Sequence, residues 1–276
     1  MDKVELIKSI KFGHRIAEDE AEQLAKYFVS TEDWRRLFEN EIDIIYGTKG
    51  AGKSALYAIL DSKKMELFDK TVLLATAENP RGNTVFEGLT SSPPTSEIEF
   101  IRLWKLYFLI ITVSVFKEWG VDKDNKKFLE IKNILEAANL IPVQKGLKSI
   151  LKACRDYIKH IANIESLQPG VDLNEATGLP SGVSLKVSFR ETSVNEQKNG
   201  IWSLESLYDL LEESLNEIGF SLWIAVDRLD VAFSESIDLE TNALRALFKV
   251  YRDLAIYSQI KIKIFLRDDI WRRITE

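Results

Sequence analysis

Eight consecutive residues, from Gly47 to Ser54, combine three glycines with a lysine and a hydroxyl at fixed spacing. In full they are Gly47-Thr48-Lys49-Gly50-Ala51-Gly52-Lys53-Ser54, which fits the phosphate-binding pattern G-x-x-x-x-G-K-[ST]. Glycines let backbone N–H groups approach phosphate oxygens closely, because no Cβ intervenes. The pattern predicts that Lys53 bridges the β- and γ-phosphates and that the Ser54 hydroxyl binds Mg²⁺.

The segments on either side of this loop fit the same chemistry. The apolar run at 42–46 predicts a buried strand, and the apolar spacing at 55–60 predicts a helix. The first amides of that helix, including that of Ala55, would point their dipole at the phosphates. The alternative is a Gly-rich turn of chance composition, but a strand before it and a helix after it favour a nucleotide site.

A second candidate position follows the apolar run at 221–226, where the sequence continues Asp227-Arg228-Leu229-Asp230. A carboxylate at the tip of a buried strand is costly unless a positive charge meets it. A nucleotide-bound Mg²⁺ would supply that charge, so Asp227 joins Ser54 as a predicted metal ligand. The alternative is that Asp227 only caps a following helix.

The residue that would polarise the attacking water is less clearly marked. Many ATPases carry a glutamate directly after the metal-binding aspartate, but Arg228 occupies that position here. Asp230 is the next candidate, and a role as a loop or capping residue stays open for it. Hydrolysis is therefore expected to be slow, or to need help from a neighbour.

A third candidate, Arg267, ends the apolar run at 260–266. If this strand lies beside both strands described above, Arg267 stands near the γ-phosphate and could sense it. A salt bridge to Asp268, Asp269 or Asp230 is the alternative. Arg272 and Arg273 follow on the last predicted helix, where they could reach a neighbouring subunit.

The chain pattern divides into a core and two additions. Residues 42–120 and 201–276 alternate strand and helix signals, which predicts an α/β fold of three α/β/α layers around a central parallel sheet. Residues 1–41 form a predicted N-terminal helical cover that includes a helix at 17–28. Residues 121–200 form a mostly helical insertion with a flexible loop or ribbon. Within it we expect a half-exposed strand at 183–189 and disorder or an exposed ribbon at 191–200.

Composition excludes several classes of protein. The net charge of −6 gives no general signal for nucleic acid, and the single cysteine, Cys154, excludes an internal disulfide. The apolar stretch at 106–116 is about half the ~20 residues that a membrane-spanning helix needs, so we expect a buried core helix and no membrane contact. No secretory signal is found at the N-terminus, and a cytoplasmic location is expected.

The loop at 47–54, the D-x-L-D of 227–230 and the F-L-R-D-D of 265–269 together resemble the AAA+-like and STAND P-loop ATPases of the ASCE class. Within these, the chain is most similar to bacterial P-loop ATPases of phage-defence and other conflict systems. The resemblance implies that the loop is a Walker A motif, that Asp227 belongs to a Walker B motif and that ATP with Mg²⁺ is the ligand. Independently, no N-K-x-D guanine signature follows the strands, which disfavours GTP.

The resemblance further implies a slowly hydrolysing regulatory module in antiviral defence or signalling. Nucleotide binding would switch its homo-oligomeric assembly, or act on a partner effector domain or subunit. The last core strand and helical lid of such ATPases are not found before Glu276, which predicts that the chain is part of a longer polypeptide.

Two other functions stay open at this stage. One is a nucleic-acid-dependent ATPase that uses the lysine-rich helices of 122–165. The other is a small-molecule kinase, which the single arginine in the long loop at 78–97, Arg81, disfavours.

Overall fold

The computed structural model describes residues 29–78, 85–89, 94, 96–143, 146–165, 187–228 and 237–275. The predicted helix at 17–28, most of the predicted strand at 183–189, and Asp230 lie outside these ranges. In chain order the elements are α1 (Glu32–Phe38), β1 (Ile44–Gly47), α2 (Lys53–Ser62), α3 (Lys64–Asp69), β2 (Val72–Thr76), a 3₁₀ turn (Val85–Leu89), α4 (Glu97–Trp119), α5 (Lys126–Ala137), α6 (Leu147–Glu165), β3 (Val187–Ser188), α7 (Val194–Lys198), β4 (Trp202–Ser203), α8 (Leu204–Ile218), β5 (Ser221–Val226), α9 (Ile237–Leu254), β6 (Ile260–Arg267) and α10 (Asp268–Thr275).

Four strands form one parallel sheet in the order β1-β6-β5-β2. The last register pair between β1 and β6 joins Gly47 of β1 to Arg267 of β6. The last pair between β5 and β6 joins Val226 of β5 to Ile264 of β6. The predicted location of this strand, between the two strands that carry the candidate residues, is therefore confirmed. Because all four strands are parallel, their carboxyl ends lie along one edge of the sheet.

Alternation along β5 divides its apolar side chains between the two faces of the sheet. Leu222, Ile224 and Val226 belong to one buried cluster, which also contains apolar side chains of α4, α8 and α9. Trp223 and Ala225 belong to a second cluster, which contains side chains of α1 and α2. Helices therefore cover both faces, as a parallel sheet requires. The fold is α/β with a central parallel sheet, an arrangement compatible with the predicted three layers.

The predicted apolar helix is α4, and it lies in the core. Ser96 caps its start by accepting a hydrogen bond from the Glu99 amide, and Gly120 ends it at a φ of 66°. The indole nitrogen of Trp104, a fully buried residue, donates to the Ala243 carbonyl at 2.9 Å. Within the described ranges, no helix combines the length and the apolar character needed to cross a membrane.

Helices α5 and α6, from the region predicted as an insertion, pack into the same core as the sheet. Phe128 of α5 stacks on Phe116 of α4 with ring centroids 4.2 Å apart. The Asn125 side-chain amide donates to the Ser214 carbonyl of α8 at 3.0 Å. These contacts attach residues 121–143 to elements on both sides of them in sequence.

The expectation of disorder or an exposed ribbon at 191–200 is wrong, because a short helix, α7, lies there. Ser193 accepts a hydrogen bond from the Glu196 amide, and the Glu196 carboxylate accepts one from the Ser193 amide at 2.8 Å, which is a capping box. Hydrogen bonds from Arg190 and Ser193 lower the pKa of Glu196 to about 2, so this carboxylate stays ionised at neutral pH. The polar composition of the segment hid this local signal.

A buried ion pair joins the start of β1 to the middle of β6. Lys263 is 0% exposed, and its amine donates to Asp43 Oδ1 at 2.7 Å, to Asn40 Oδ1 at 2.6 Å and to the Ile42 carbonyl at 2.9 Å. Its Nζ also lies 4.4 Å from the centre of the Trp223 ring. Burial lowers the pKa of Lys263 from its usual value, and the bond to Asp43 opposes that shift. The amine thus connects the segment between α1 and β1, through Asn40, Ile42 and Asp43, to strand β6 of the sheet.

We expect Asp43→Ala to lower the free energy of unfolding by about 3 kcal/mol, because it leaves the buried Lys263 charge without its carboxylate. Lys263→Met is expected to cost less, since it removes the buried charge and keeps much of the volume. Urea unfolding with an unchanged m-value measures both. Glu32→Ala, which breaks an exposed pair with Arg35, is the control and should cost at most about 1 kcal/mol. Equal losses for Asp43→Ala and Glu32→Ala would contradict a buried pair.

Candidate functional site

The loop after β1 has the backbone conformation that its glycines predict. Gly50 and Gly52 adopt φ angles of +84° and +86°, a region that side chains with a Cβ rarely occupy. A Cβ built on Gly47 would come 3.4 Å from the Ala51 Cβ, so this position is close-packed. Residues 48–52 are exposed to solvent, which leaves the loop accessible.

Helix α2 begins at Lys53 with no side-chain cap and no acidic residue in its first turn. Its first backbone N–H groups therefore have neither an intrahelical partner nor a capping side chain. An uncapped, uncompensated helix N-terminus favours an anion. The exposed loop leads directly into this helix N-terminus. The amides of the loop and the first amides of α2, the two predicted sets of phosphate-binding donors, therefore lie together.

The Lys53 side chain folds back onto the loop. Its amine donates to the Gly47 carbonyl at 2.9 Å and to the Thr48 carbonyl at 2.8 Å. An ammonium has three donors, so these two bonds leave one for a further acceptor. The positive charge is thus held at the loop, where the motif predicts it.

After β1 and after β6 the chain turns to opposite faces of the sheet. Helix α2, after β1, packs on the face of Trp223 and Ala225. Helix α10, after β6, packs through Ile270 with the cluster on the other face. Because β1 and β6 are neighbours, this divergence is a topological switch point, the usual ligand position at the carboxyl edge of an α/β sheet.

Asp227 lies at the same edge, directly after β5, and is only 5% exposed. Strand β5 is two positions from β1, which corresponds to about 10 Å between the strands. Tyr57 lies one turn after Lys53 on α2, and the charge of Asp227 acts on it. Burial, and after it the charge of Asp227, raise the pKa of Tyr57 well above its usual value. The charge of Asp227 therefore acts on the helix that follows the loop.

A second buried carboxylate, Glu78, was missed from the sequence as a site residue. Glu78 is 0% exposed and comes directly after β2. Thr76 of β2 pairs in register with Ala225 of β5. Glu78 lies two residues after Thr76, and Asp227 lies two residues after Ala225. The Tyr57 hydroxyl donates to the Glu78 carbonyl at 2.6 Å. An acidic residue directly after an apolar run was the available signal, the same one that identified Asp227.

Arg267 forms the salt bridge that the sequence left open. Its Nε donates to Asp269 Oδ1 at 3.0 Å and its Nη2 to Asp269 Oδ2 at 2.8 Å. Its backbone pairs in register with Gly47, so the residue lies at the start of the loop. A phosphate-sensing role would require the side chain to exchange Asp269 for the nucleotide.

The other arginines at this end also have partners within the chain. Arg273 pairs with the buried Glu240 at 2.7 Å, and Arg272 lies 3.7 Å from Asp268. Arg228 differs: its φ is +63°, and its buried Nη1 has no hydrogen-bond partner among the described residues. Strained backbone of this kind is concentrated at functional sites.

The residues present fit a nucleotide-bound Mg²⁺. Magnesium prefers oxygen ligands and is commonly held by one or two carboxylates, substrate phosphates and waters. Ser54 and Asp227 offer a hydroxyl and a carboxylate of that kind. Among the described residues, no group of three or more His, Cys, Asp or Glu could hold a metal without such a substrate.

Comparisons of the chain with protein-family models, with curated proteins and with solved structures found no match.

Proposed function

We propose that this chain binds ATP with Mg²⁺ at the carboxyl edge of its sheet and hydrolyses it slowly. The observation that carries the proposal is the position of the phosphate loop at the switch point between β1 and β6, with the buried Asp227 on the next strand. The strand order supports it, because it brings the loop, Arg267 and Asp227 to three neighbouring strand ends. The AAA+-like and STAND resemblance, stated from the motifs, points the same way.

In this proposal each residue has a defined task. The amides of the loop and of the first turn of α2 bind the phosphates, and Lys53 directs its remaining donor at the β- and γ-phosphates. Ser54 and Asp227 hold Mg²⁺, directly or through water. When bound, Mg²⁺ neutralises charge that develops on the phosphate oxygens.

The cellular role follows from the resemblance alone. We propose a nucleotide-driven regulatory module of bacterial antiviral defence or signalling, cytoplasmic, that changes its own assembly or the state of a partner effector. Ordering of segments around a γ-phosphate is a known basis for such switches.

Three measurements test the proposal. Calorimetry with the purified chain should detect ATP binding in the presence of Mg²⁺, with GTP bound more weakly, and a phosphate-release assay should find slow turnover. Light scattering after size exclusion should find a larger assembly with ATP·Mg²⁺ than without nucleotide. Absence of nucleotide binding would refute the site, whereas binding with an unchanged mass would refute only the assembly switch.

A further inference from the structure

Tyr46 lies directly before the phosphate loop, and it is 58% exposed. Its neighbour Ile45 is buried in the cluster that contains side chains of α1 and α2. Alternation along β1 therefore puts the Tyr46 side chain on the opposite face of the sheet. Its backbone pairs in register with Leu266, one residue before Arg267. An open aromatic ring is thus located at the switch point, next to the proposed phosphate site.

Trp271 of α10 supports this ring from one side. The rings of Tyr46 and Trp271 are stacked, with centroids 5.7 Å apart and planes 16° from parallel. Trp271 in turn meets the ring of Phe248 on α9 edge to face, with centroids 5.3 Å apart, and is partly buried against the cluster of that face. The Tyr46 ring therefore has a fixed support on one face, while more than half of the residue is open to solvent.

The loop keeps the phosphate-binding groups close to Tyr46. The Lys53 amine donates to the carbonyl of Gly47, the residue after Tyr46, at 2.9 Å. A Cβ on Gly47 would come 3.4 Å from the Ala51 Cβ, so the middle of the loop lies against the end of β1. The ammonium assigned to the β- and γ-phosphates is therefore held next to the backbone that carries the Tyr46 ring.

The strand order gives the bound nucleotide a direction. In the proposed function Mg²⁺ bridges the β- and γ-phosphates and is held on the side of Asp227. Asp227 follows β5, which lies beyond β6, whereas β1 is the outermost strand on the other side of the sheet that the described residues form. The metal-bearing phosphates therefore point towards β5, and the nucleoside, at the other end of the triphosphate, extends away from it. That direction leads over the end of β1, where Tyr46 is exposed.

We propose that Tyr46, supported by Trp271, is the platform on which the base of the bound nucleotide stacks, an inference that rests on the proposed function. Aromatic side chains stack on nucleobases through their π-faces, and the interaction tolerates any base because every base has such a face. The ring therefore adds affinity for a nucleoside triphosphate without choosing between adenine and guanine. Inorganic tripolyphosphate, which has no base, cannot use that affinity.

The test is calorimetry of the purified chain with ATP and with inorganic tripolyphosphate, each in the presence of Mg²⁺. We expect Tyr46→Ala to lower ATP affinity about tenfold, since loss of one base-stacking ring usually weakens binding about 5- to 150-fold. Affinity for tripolyphosphate should stay within about threefold of the original, because the loop is intact. Tyr46→Phe keeps the ring and should keep ATP affinity within about threefold.

Ile256→Ala is the matched control for the loss of an exposed apolar side chain. Ile256 is 78% exposed and lies just before β6, at the amino edge of the sheet. Its substitution should leave the affinities for both ligands unchanged, because the proposed site is at the carboxyl edge.

Two results with Tyr46→Ala would overturn the inference. One is an ATP affinity equal to that of the original chain. The other is an equal loss of affinity for ATP and for tripolyphosphate, because the ring would then support the loop and not the base. If Tyr46→Ala does not fold, Tyr46→Leu keeps apolar volume at the strand end without a π-face. It should bind ATP at least about fivefold more weakly with tripolyphosphate affinity unchanged, and an unchanged ATP affinity rejects the role. If the original chain binds neither ligand, it is the proposed function that fails.

Discussion

Lys53→Ala is expected to lower ATP affinity by about 100-fold or more, to the limit of detection by calorimetry. The ammonium lies at the phosphate loop, bonded to the Gly47 and Thr48 carbonyls, with one donor remaining. A hydrogen bond to a charged group contributes about 1.5–3 kcal/mol, and each 1.4 kcal/mol is a factor of about ten. A triphosphate that loses its lysine loses at least one such bond and a full charge.

The fold should tolerate this substitution, because Lys53 is only partly buried and its bonds are to backbone carbonyls of the loop. The melting temperature without nucleotide is therefore expected to stay within a few degrees of the original. Lys117→Ala, at an exposed position of α4, removes the same charge elsewhere and should leave affinity unchanged. ATP affinity that is equal in all three proteins would remove the basis of the nucleotide site.

Local pattern was sufficient to predict the loop and the strands that carry it. The spacing from Gly47 to Ser54 is a backbone requirement, and Gly50 and Gly52 adopt the positive φ angles that it implies. Parallel pairing adds information about position, because the carboxyl ends of parallel strands lie at one edge of the sheet. That rule alone predicts that Asp227 lies at the same edge of the sheet as the loop.

Lys263 is a residue for which the same reasoning fails. It alternates with apolar residues in the run at 260–266, a pattern that normally puts a lysine on a solvated face. The structure buries it instead, because Asn40 and Asp43 come from a distant corner to accept its protons. Long-range polar partners leave no trace in local periodicity.

Glu78 illustrates the same limit within the candidate site. In the sequence it begins an irregular loop rich in proline and glycine, and its neighbours suggest exposure. In the structure it is buried, and its backbone is bonded to the hydroxyl of Tyr57, 21 residues earlier. Only the pairing of β2 with β5 reveals that Glu78 and Asp227 occupy equivalent strand ends.

Asp227→Asn is expected to abolish Mg²⁺-dependent hydrolysis while leaving Mg²⁺-free ATP binding intact. Asparagine has nearly the same shape, so the buried position stays filled, and it removes a charge whose burial is costly. The lost carboxylate weakens the hold on Mg²⁺ and on the charge that develops on the phosphates. We expect the hydrolysis rate at saturating ATP to fall about 100-fold or more, equivalent to about 2.7 kcal/mol in the barrier.

Titration with Mg²⁺ separates this role from a structural one. A weakened ligand set should shift the half-maximal Mg²⁺ concentration upwards, because asparagine offers only a neutral oxygen. Calorimetry with EDTA should give the same ATP affinity for Asp227→Asn, for the exposed control Asp124→Asn and for the original chain. If the hydrolysis rate and its Mg²⁺ dependence do not change in Asp227→Asn, the carboxylate is no metal ligand. In that case Asp227 is a buried residue of the strand end, as the capping alternative holds.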